Sequence, residues 1–470
     1  MESPTHGGSS LVNCLVNLKL IDCKRCELPM LGHLPRLESL EIDGLDKVRT
    51  IDMKFYRSSG FSETMAVFPA LKKLSLRRMV NLVQWMVPAV SEGQSAMFPF
   101  LQELSIISCP LLASISLHAP SLAQLEICFC DELKSLSMDS SASTALEDLT
   151  IKCCPNLESI PSAECLRSLK RLHNEGFQKF ISPPIPSEQI FNSLEYLRLE
   201  GFPDLISIPD LQNLSLKGLA IKHCPDLECI GSLQNLTSLQ DLRIEVCPYL
   251  ESIPSVGGLS SLKTLSIQRC HKLTSLPTGL QSCLSLENLS VQWCIELTSI
   301  PDELKELHSL VQLEITKCPS LTYFPEDSLY SLTQLKQLTI GPFSEKLEVF
   351  PGLNSIQPFH PPLEELQIHG WNRLKSLPDQ LQQLPVLKSL DIGRFNKVEA
   401  LPEWLGDLIS LQQLRIWRCK NLRSLPTSMQ DLVMLKRLEI IDCHILKKTC
   451  AEGSGPEWFK ISHIPKISML

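Results

Sequence analysis

A single unit recurs along almost the whole of this 470-residue chain. It reads Leu, two residues, Leu, one residue, Ile or Leu, two residues, Cys, two residues, Leu, two residues, Ile or Leu, and often Pro. Leu239, Leu242, Ile244, Cys247, Leu250, Ile253 and Pro254 show it, as do Leu262, Leu265, Ile267, Cys270, Leu273, Leu276 and Pro277, and Leu411, Leu414, Ile416, Cys419, Leu422, Leu425 and Pro426. A fixed period of this kind decides the fold before any other property is weighed. Units start at Leu15, Leu37, Leu71, Leu101, Leu122, Leu146, Leu169, Leu194, Leu216, Leu239, Leu262, Leu286, Leu310, Leu335, Leu363, Leu387, Leu411 and Leu435, about eighteen repeats. Two early steps are long, 34 residues from Leu37 to Leu71 and 30 from Leu71 to Leu101. The insertions there include Phe55–Met65 and Pro88–Gln94, which read as loops away from the strand face. The seventh unit is degenerate, with Asn174 in place of Ile or Leu. The fourteenth carries an extra residue before Leu347 and Phe350, and a Pro-rich stretch from Pro351 to Pro362 follows it.

The Leu-x-Leu core alternates apolar and polar residues, the period of a strand with one face buried. One strand cannot bury its leucines alone, whereas stacked neighbours form a parallel sheet over a continuous apolar core. Return segments such as Pro301-Asp302-Glu303-Leu304 with Leu307, or Pro402-Glu403-Trp404-Leu405 with Leu408, space apolar residues three apart, which suits a helical or 3₁₀ turn rather than a second strand. Strands pack at ~4.8 Å and the outer layer needs more room, so the stack should curve with its strands inside, along an arc of roughly 80 Å. The expected fold is an α/β leucine-rich-repeat solenoid, an open horseshoe with a parallel sheet on its concave face and short helical or irregular turns on its convex face. Residues 1–14 read as an unstructured start, 15–446 as one elongated solenoid and 447–470 as a C-terminal cap or tail. The first ten residues are too few and too polar to cap a repeat, so the chain reads as truncated; Trp458, Phe459, Ile461, Ile464 and Ile467 are expected to fold over the last one.

Net charge is −8 and the pI about 5.8, which argues against a general nucleic-acid binder. Nothing near Met1 has the charged-then-apolar pattern of a signal peptide, and no apolar run approaches ~18 residues, so membrane insertion is not expected. A cytoplasmic protein is expected, with the nucleus as a second compartment. Of nineteen cysteines, Cys23, Cys109, Cys130, Cys154, Cys224, Cys247, Cys270, Cys294, Cys318, Cys419 and Cys443 fall at one repeat position, which elsewhere holds Phe202, Trp371, Phe395 or Met79. That position is a buried slot, where Cys acts as a small apolar residue with a weak S–H donor for nearby carbonyls. Cys23 and Cys26 form a Cys-x-x-Cys without a matching second pair, a weak metal signal. Many unpaired thiols fit a reducing compartment, and the sequons at Asn213, Asn235 and Asn288 read as chance matches.

No Gly-Lys pair occurs, so a phosphate loop of the Gly-x-x-x-x-Gly-Lys type is absent, as are His-Glu-x-x-His, Gly-x-Ser-x-Gly and Gly-x-Gly-x-x-Gly. His223 and His369 fall at strand-face positions and read as solvated surface histidines. The expectation is a binding surface, with no catalytic residue, cofactor, metal or small-molecule substrate. The residues one, two, four, six and seven after each first Leu should face solvent. Trp, Tyr and Arg matter most there, because they dominate binding hot spots. Two candidate clusters follow: Arg243, Arg269, Trp293 and Lys317 with Glu245 and Glu314 beside them, and Arg394, Arg415, Trp417 and Arg418 with Lys436 and Arg437. In the last three units Lys388, Arg394, Arg415, Arg418, Lys436 and Arg437 outnumber Asp391, Glu439 and Asp442, which would favour an acidic partner. The competing reading is a solvated face on which Arg418 and Trp417 neighbours make cation–π pairs.

The opening stretch, Leu15-Val16-Asn17-Leu18-Lys19-Leu20-Ile21-Asp22-Cys23-Lys24-Arg25-Cys26, then Leu28-Pro29-Met30-Leu31-Gly32, Leu34-Pro35 and Leu37-Glu38-Ser39-Leu40, resembles the leucine-rich-repeat region of plant nucleotide-binding disease-resistance proteins of the coiled-coil type. So do Cys247-Pro248-Tyr249-Leu250 and Ser424-Leu425-Pro426. The closing Trp458-Phe459-Lys460-Ile461-Ser462-His463-Ile464-Pro465 is similar to that family's ending, with Phe459 where Pro is more common. The resemblance implies intracellular immune sensing, in which the repeats recognise a pathogen effector or an altered host protein and hold a nucleotide-binding module inactive. The family's ADP/ATP switch motifs lie upstream of its repeats and none is present in this chain, so nucleotide binding is not carried over. The alternatives are a stand-alone leucine-rich-repeat adaptor or scaffold, such as a ubiquitin-ligase substrate adaptor, and a receptor ectodomain. The first would need an F-box ahead of Leu11; the second would need a signal peptide, paired Cys caps and a Leu-x-Gly-x-Ile-Pro motif.

Overall fold

Two residues after each of the eighteen predicted repeat starts, from Leu15 to Leu435, the chain enters a short strand. The computed structural model describes residues 14–24, 26–56, 67–86, 97–138, 145–158, 160–161, 163–176, 193–344, 362–370, 374–382 and 384–470. Its contacts divide the chain into two units, residues 1–208 with 213–225, and 209–212 with 226–470.

In the first unit the strands Asn17–Ile21, Ser39–Asp43, Lys73–Arg77, Glu103–Ile107, Gln124–Cys128, Asp148–Lys152, Arg171–Glu175, Tyr196–Glu200 and Gly218–Lys222 pair in parallel, each with the next. Register places like on like, Leu104 against Leu125 and Ile106 against Ile127. Burial alternates along most strands, the Leu and Ile positions being closed while the residues between them stay open. Each buried leucine contributes about 1.5–3 kcal/mol, so the stacked rows rather than any single strand hold the sheet together.

In this unit part of the return wall departs from the expected turns. Thr50–Ile51 pairs with Gln84–Trp85, and Ser114–Leu117 with Ser135–Met138, as second parallel strands. Ser-Ile-Ser-Leu has the two-residue alternation of a strand and lacks the Pro and the three-residue apolar spacing that start a 3₁₀ turn elsewhere. The first insertion also differs from a loop at its beginning: Phe55 and Tyr56 lie in a short helix and are buried with Phe68, Phe98 and Trp85. Trp85 Nε1 donates to the Tyr56 hydroxyl at 2.5 Å. The rest of that insertion, and Pro88–Gln94, Leu347, Phe350, Pro351 to residue 361, Trp371 and Arg25, lie outside the described residues.

In the second unit, parallel strands run from Asp241–Glu245 to Arg437–Ile441, and Lys466–Met469 pairs beside the last of them. Here several return segments are 3₁₀ turns, among them Asp302–Glu306, Glu403–Asp407 and Thr427–Asp431, each led by a proline in extended conformation. After the last repeat, Ile461 and Ile464 are buried whereas Phe459 is 56% exposed. The Lys460 ammonium, itself buried, donates to Leu425 O at 2.6 Å and to Glu457 at 2.7 Å.

One backbone device recurs in both units. The residue seven after each repeat start except Leu335 leaves the strand in the left-handed region: Asp22, Arg78, Ser108, Phe129, Cys153 and His223 in the first unit, Val246, Arg269, Trp293, Lys317, Arg394, Arg418 and Asp442 in the second, and glycine at Gly44, Gly176, Gly201 and Gly370. This turns its N–H toward the next repeat, as Val246 N donates to Gln268 O and Arg269 N to Gln292 O, both at 2.8 Å. The recurrent cysteine donates to the same carbonyl: Cys270 Sγ to Gln268 O and Cys294 Sγ to Gln292 O, each at 3.6 Å. A carbonyl has two lone pairs, so a thiol that is small, buried and a weak donor completes a corner that the backbone only half satisfies. None of the nineteen cysteines is in a disulfide.

Candidate functional site

The left-handed corner also places the candidate binding residues of the second unit. Arg269, Trp293 and Lys317 stand at three successive corners, after the strands Thr264–Gln268, Asn288–Gln292 and Gln312–Thr316. Trp293 is 41% exposed, and Lys317 Nζ lies 4.4 Å from its ring centroid. Among the described residues neither Arg269 nor Lys317 has an ion-pair partner. Arg243 is different: its Nε is 3.0 Å from Asp241 two residues back on the same strand, which raises its pKa further.

The C-terminal cluster is brought together and largely neutralises itself. Asp391 receives the Trp417 indole N–H at 2.5 Å and lies 3.4 Å from Arg415, which also reaches Glu439 at 3.6 Å. Arg418 pairs with Asp442 at 3.1 Å, Arg437 with Glu439 at 3.3 Å and Lys388 with Glu364 at 2.6 Å. The excess positive charge counted from sequence is therefore mostly spent within the fold, and Glu364 was outside that count. The cation over Trp417 is Arg394, 5.2 Å from its centroid, and not Arg418, because Arg418 is held by Asp442.

His369 does not stand in solvent as expected. Its side chain is 15% exposed, with its ring 5.1 Å from that of Trp417 in an edge contact and its Nε2 3.8 Å from Asp391. The cause is Gly393, which lies between the two strands in register: any Cβ there would collide with the Trp417 indole, so its absence lets the ring lie across the strand toward His369. That glycine beside an aromatic on the next strand was the legible sign of a ring lying flat on the sheet. His223 is 56% exposed, with Nδ1 3.3 Å from Glu200.

In the first unit the sheet's solvent face holds a groove of about 440 Å³ lined by Glu41, Ser75, Ser105, Glu126 and Thr150 among others. Farther along, His173, Glu175 and Glu200 converge, their ligand atoms all within 4.8 Å of one another. Sequence reasoning missed this group because His173 sits in the degenerate unit. The repeat register, which puts Glu175 directly opposite Glu200, was the available signal. Burial, with Lys152 and Arg198 nearby, pushes the His173 imidazole down to about 4. No helix among the described residues is long and apolar enough to cross a membrane.

Residues 193–342 match the family described as "Plant disease resistance protein RPS2-like, leucine-rich repeats", and residues 379–443 match "R13L1/DRL21 LRRs". Disease resistance protein RGA2 of Solanum bulbocastanum is 31% identical over 166 residues, which are 34% of this chain and 16% of that protein. The putative disease resistance protein RGA4 of the same species is 32% identical over 174 residues, 36% of this chain and 16% of the relative. The match thus spans about a sixth of each relative's length. A leucine-rich-repeat protein of Leptospira interrogans aligns over 100% of both chains with a TM-score of 0.51 at 21% identity, a likeness of fold alone. Residues 193–342 and 379–443 of this chain thus match leucine-rich repeats of plant disease resistance proteins.

Proposed function

We propose that this chain is the protein-recognition domain of an intracellular plant immune receptor. It binds a pathogen effector, or a host protein that an effector alters, through the solvent face of its sheet, and it restrains a nucleotide-binding switch module that lies outside this sequence. The work is recognition rather than catalysis. Its place is the cytoplasm, with the nucleus open to the same receptor.

The observation that carries this reading is the column Arg269, Trp293 and Lys317. Trp293 is an exposed apolar ring flanked by cations that have no acidic partner among the described residues, and Trp and Arg are favoured in binding hot spots. It fits a partner that brings a carboxylate and an apolar edge together. Arg394, Arg415, Trp417 and Arg418 form a second contact area in which Arg415 and Arg418 are already paired with carboxylates and Arg394 lies over the indole.

The experiment is a binding measurement of the purified chain against a defined panel of pathogen effectors and the host proteins they modify, with Trp293→Ala and Arg269→Ala/Lys317→Ala beside the native chain. Recognition predicts a partner in the panel whose Kd weakens by about 30-fold, roughly 2 kcal/mol, on losing Trp293. Partners that bind the substituted chains equally well would defeat the assignment. A parallel co-expression with the nucleotide-binding module of a related resistance protein tests restraint: the chain should reduce that module's cell-death output in trans.

A further inference from the structure

We propose that His173, Glu175 and Glu200 form a zinc site on the solvent face of the first unit, a site independent of the recognition surface in the second. The three residues come from the adjacent parallel strands Arg171–Glu175 and Tyr196–Glu200. His173 Nε2 lies 3.6 Å from Glu175 Oε2 and 3.8 Å from Glu200 Oε2. Ligand atoms around a four-coordinate zinc with bonds of about 2.0–2.1 Å stand roughly 3.4 Å apart. Small side-chain rotations therefore close the group onto one ion and leave a fourth position open.

Two features of the cluster favour a cation at its centre. The His173 Nε2 atom is buried and makes no hydrogen bond, although it stands within 3.6 and 3.8 Å of the two carboxylates. Glu175 and Glu200 sit directly opposite each other in the parallel register, like charges now met by Lys152 and Arg198 that a bound cation would bridge directly. One nitrogen with two carboxylates selects zinc over calcium or magnesium, which prefer all-oxygen shells.

Neighbouring groups set the affinity. Lys152 Nζ is 3.6 Å from Glu175, and the Arg198 guanidinium holds Glu200 through Nε at 2.8 Å and Nη2 at 2.5 Å. Both compete with the ion, and Arg198, at 42% side-chain exposure, can swing to solvent when zinc enters. His223 Nδ1, 3.3 Å from Glu200 Oε1, supports the carboxylate from behind, as outer-shell partners of metal ligands do.

The test is zinc chloride titrated into the full chain by calorimetry, in a background where the thiols that are not buried, Cys14, Cys23, Cys26, Cys153 and Cys229, are serine. One equivalent should bind. His173→Gln and Glu200→Gln should abolish it, His223→Ala should weaken it about 10–100-fold, and Arg198→Gln should tighten it. Hydrogen exchange across Arg171–Glu175 separates loss of ligation from loss of folding, and the exposed Arg198 carries the argument if the inner variants unfold. No bound zinc in the thiol-depleted chain, an equivalent that survives His173→Gln, or weaker binding in Arg198→Gln would overturn the assignment.

Discussion

Replacing Asn174 by Ile should stabilise the first unit around the strand Arg171–Glu175. Asn174 occupies the position that other repeats fill with Ile or Leu, between Ile151 and Leu199 in register, and all three are 0% exposed. Neither Oδ1 nor Nδ2 of its amide has a hydrogen-bond partner. A buried unpaired polar group costs about 1–3 kcal/mol, and an isoleucine buried in its place contributes about 1.5–3 kcal/mol. Against this stands the strain of fitting a larger side chain, about 1–3 kcal/mol, which leaves a net gain of about 2 kcal/mol. Because repeats touch only their neighbours, the gain should appear locally. Native-state hydrogen exchange should slow roughly 30-fold in the strands Asp148–Lys152, Arg171–Glu175 and Tyr196–Glu200, and much less elsewhere. Asn174→Ala separates the two contributions, since it removes the amide without filling its volume. Unchanged or faster exchange in Asn174→Ile would show that the site is shaped for the amide and that its cost has been misjudged.

Three further outcomes follow from single contacts. Gly393→Ala should push the Trp417 indole off the sheet, break its bond to Asp391 and destabilise by about 1–3 kcal/mol; an unmoved Trp417 indole N–H resonance would contradict the packing described. Glu457→Gln should cost more than Lys460→Met, about 3–5 kcal/mol in urea unfolding of the last repeats, because it strands a buried ammonium while the second change removes the charge altogether. A thiol reagent should modify Cys14, Cys26 and Cys229 quickly in the native chain and the recurrent buried cysteines only on unfolding. Burial alone holds Cys283 up to about 11, and desolvation with the Glu126 charge holds Cys128 up to about 12.

The strands were legible because their signal is local and redundant. Leu239, Leu242 and Ile244 repeat at Leu262, Leu265 and Ile267, so an error in one unit is corrected by the next. The return wall was legible only where Pro301 or Pro402 opened a turn; Ser114–Leu117 became a strand because its alternation found a partner in Ser135–Met138. The charge of the C-terminal cluster was misread for a different reason. Sequence counts list charges but not their pairings, and Asp391 alone engages both Trp417 and Arg415. His173 was overlooked because a degenerate unit hides its register, although Glu175 and Glu200 hold the same repeat position in successive units.

The corner geometry gives one more test, and it separates recognition from packing. At Gly44, Gly176, Gly201 and Gly370 the left-handed corner is made by glycine, so the fold needs no side chain there. A side chain at that corner costs about 1–2 kcal/mol of backbone strain, which glycine avoids. Arg269, Trp293 and Lys317 accept that cost, as the other side-chain corners do, but Trp293 gains little burial in return, being 41% exposed. Trp293→Gly should therefore leave unfolding free energy within about 1 kcal/mol of the native value, since relief of strain offsets lost contacts and the added freedom of the unfolded chain. If Trp293 were a packing residue, its removal would cost about 3–5 kcal/mol, as for an aromatic in a core. Urea unfolding of the two chains decides between these values, and a loss in the packing range would remove the reason for placing partner recognition at this column.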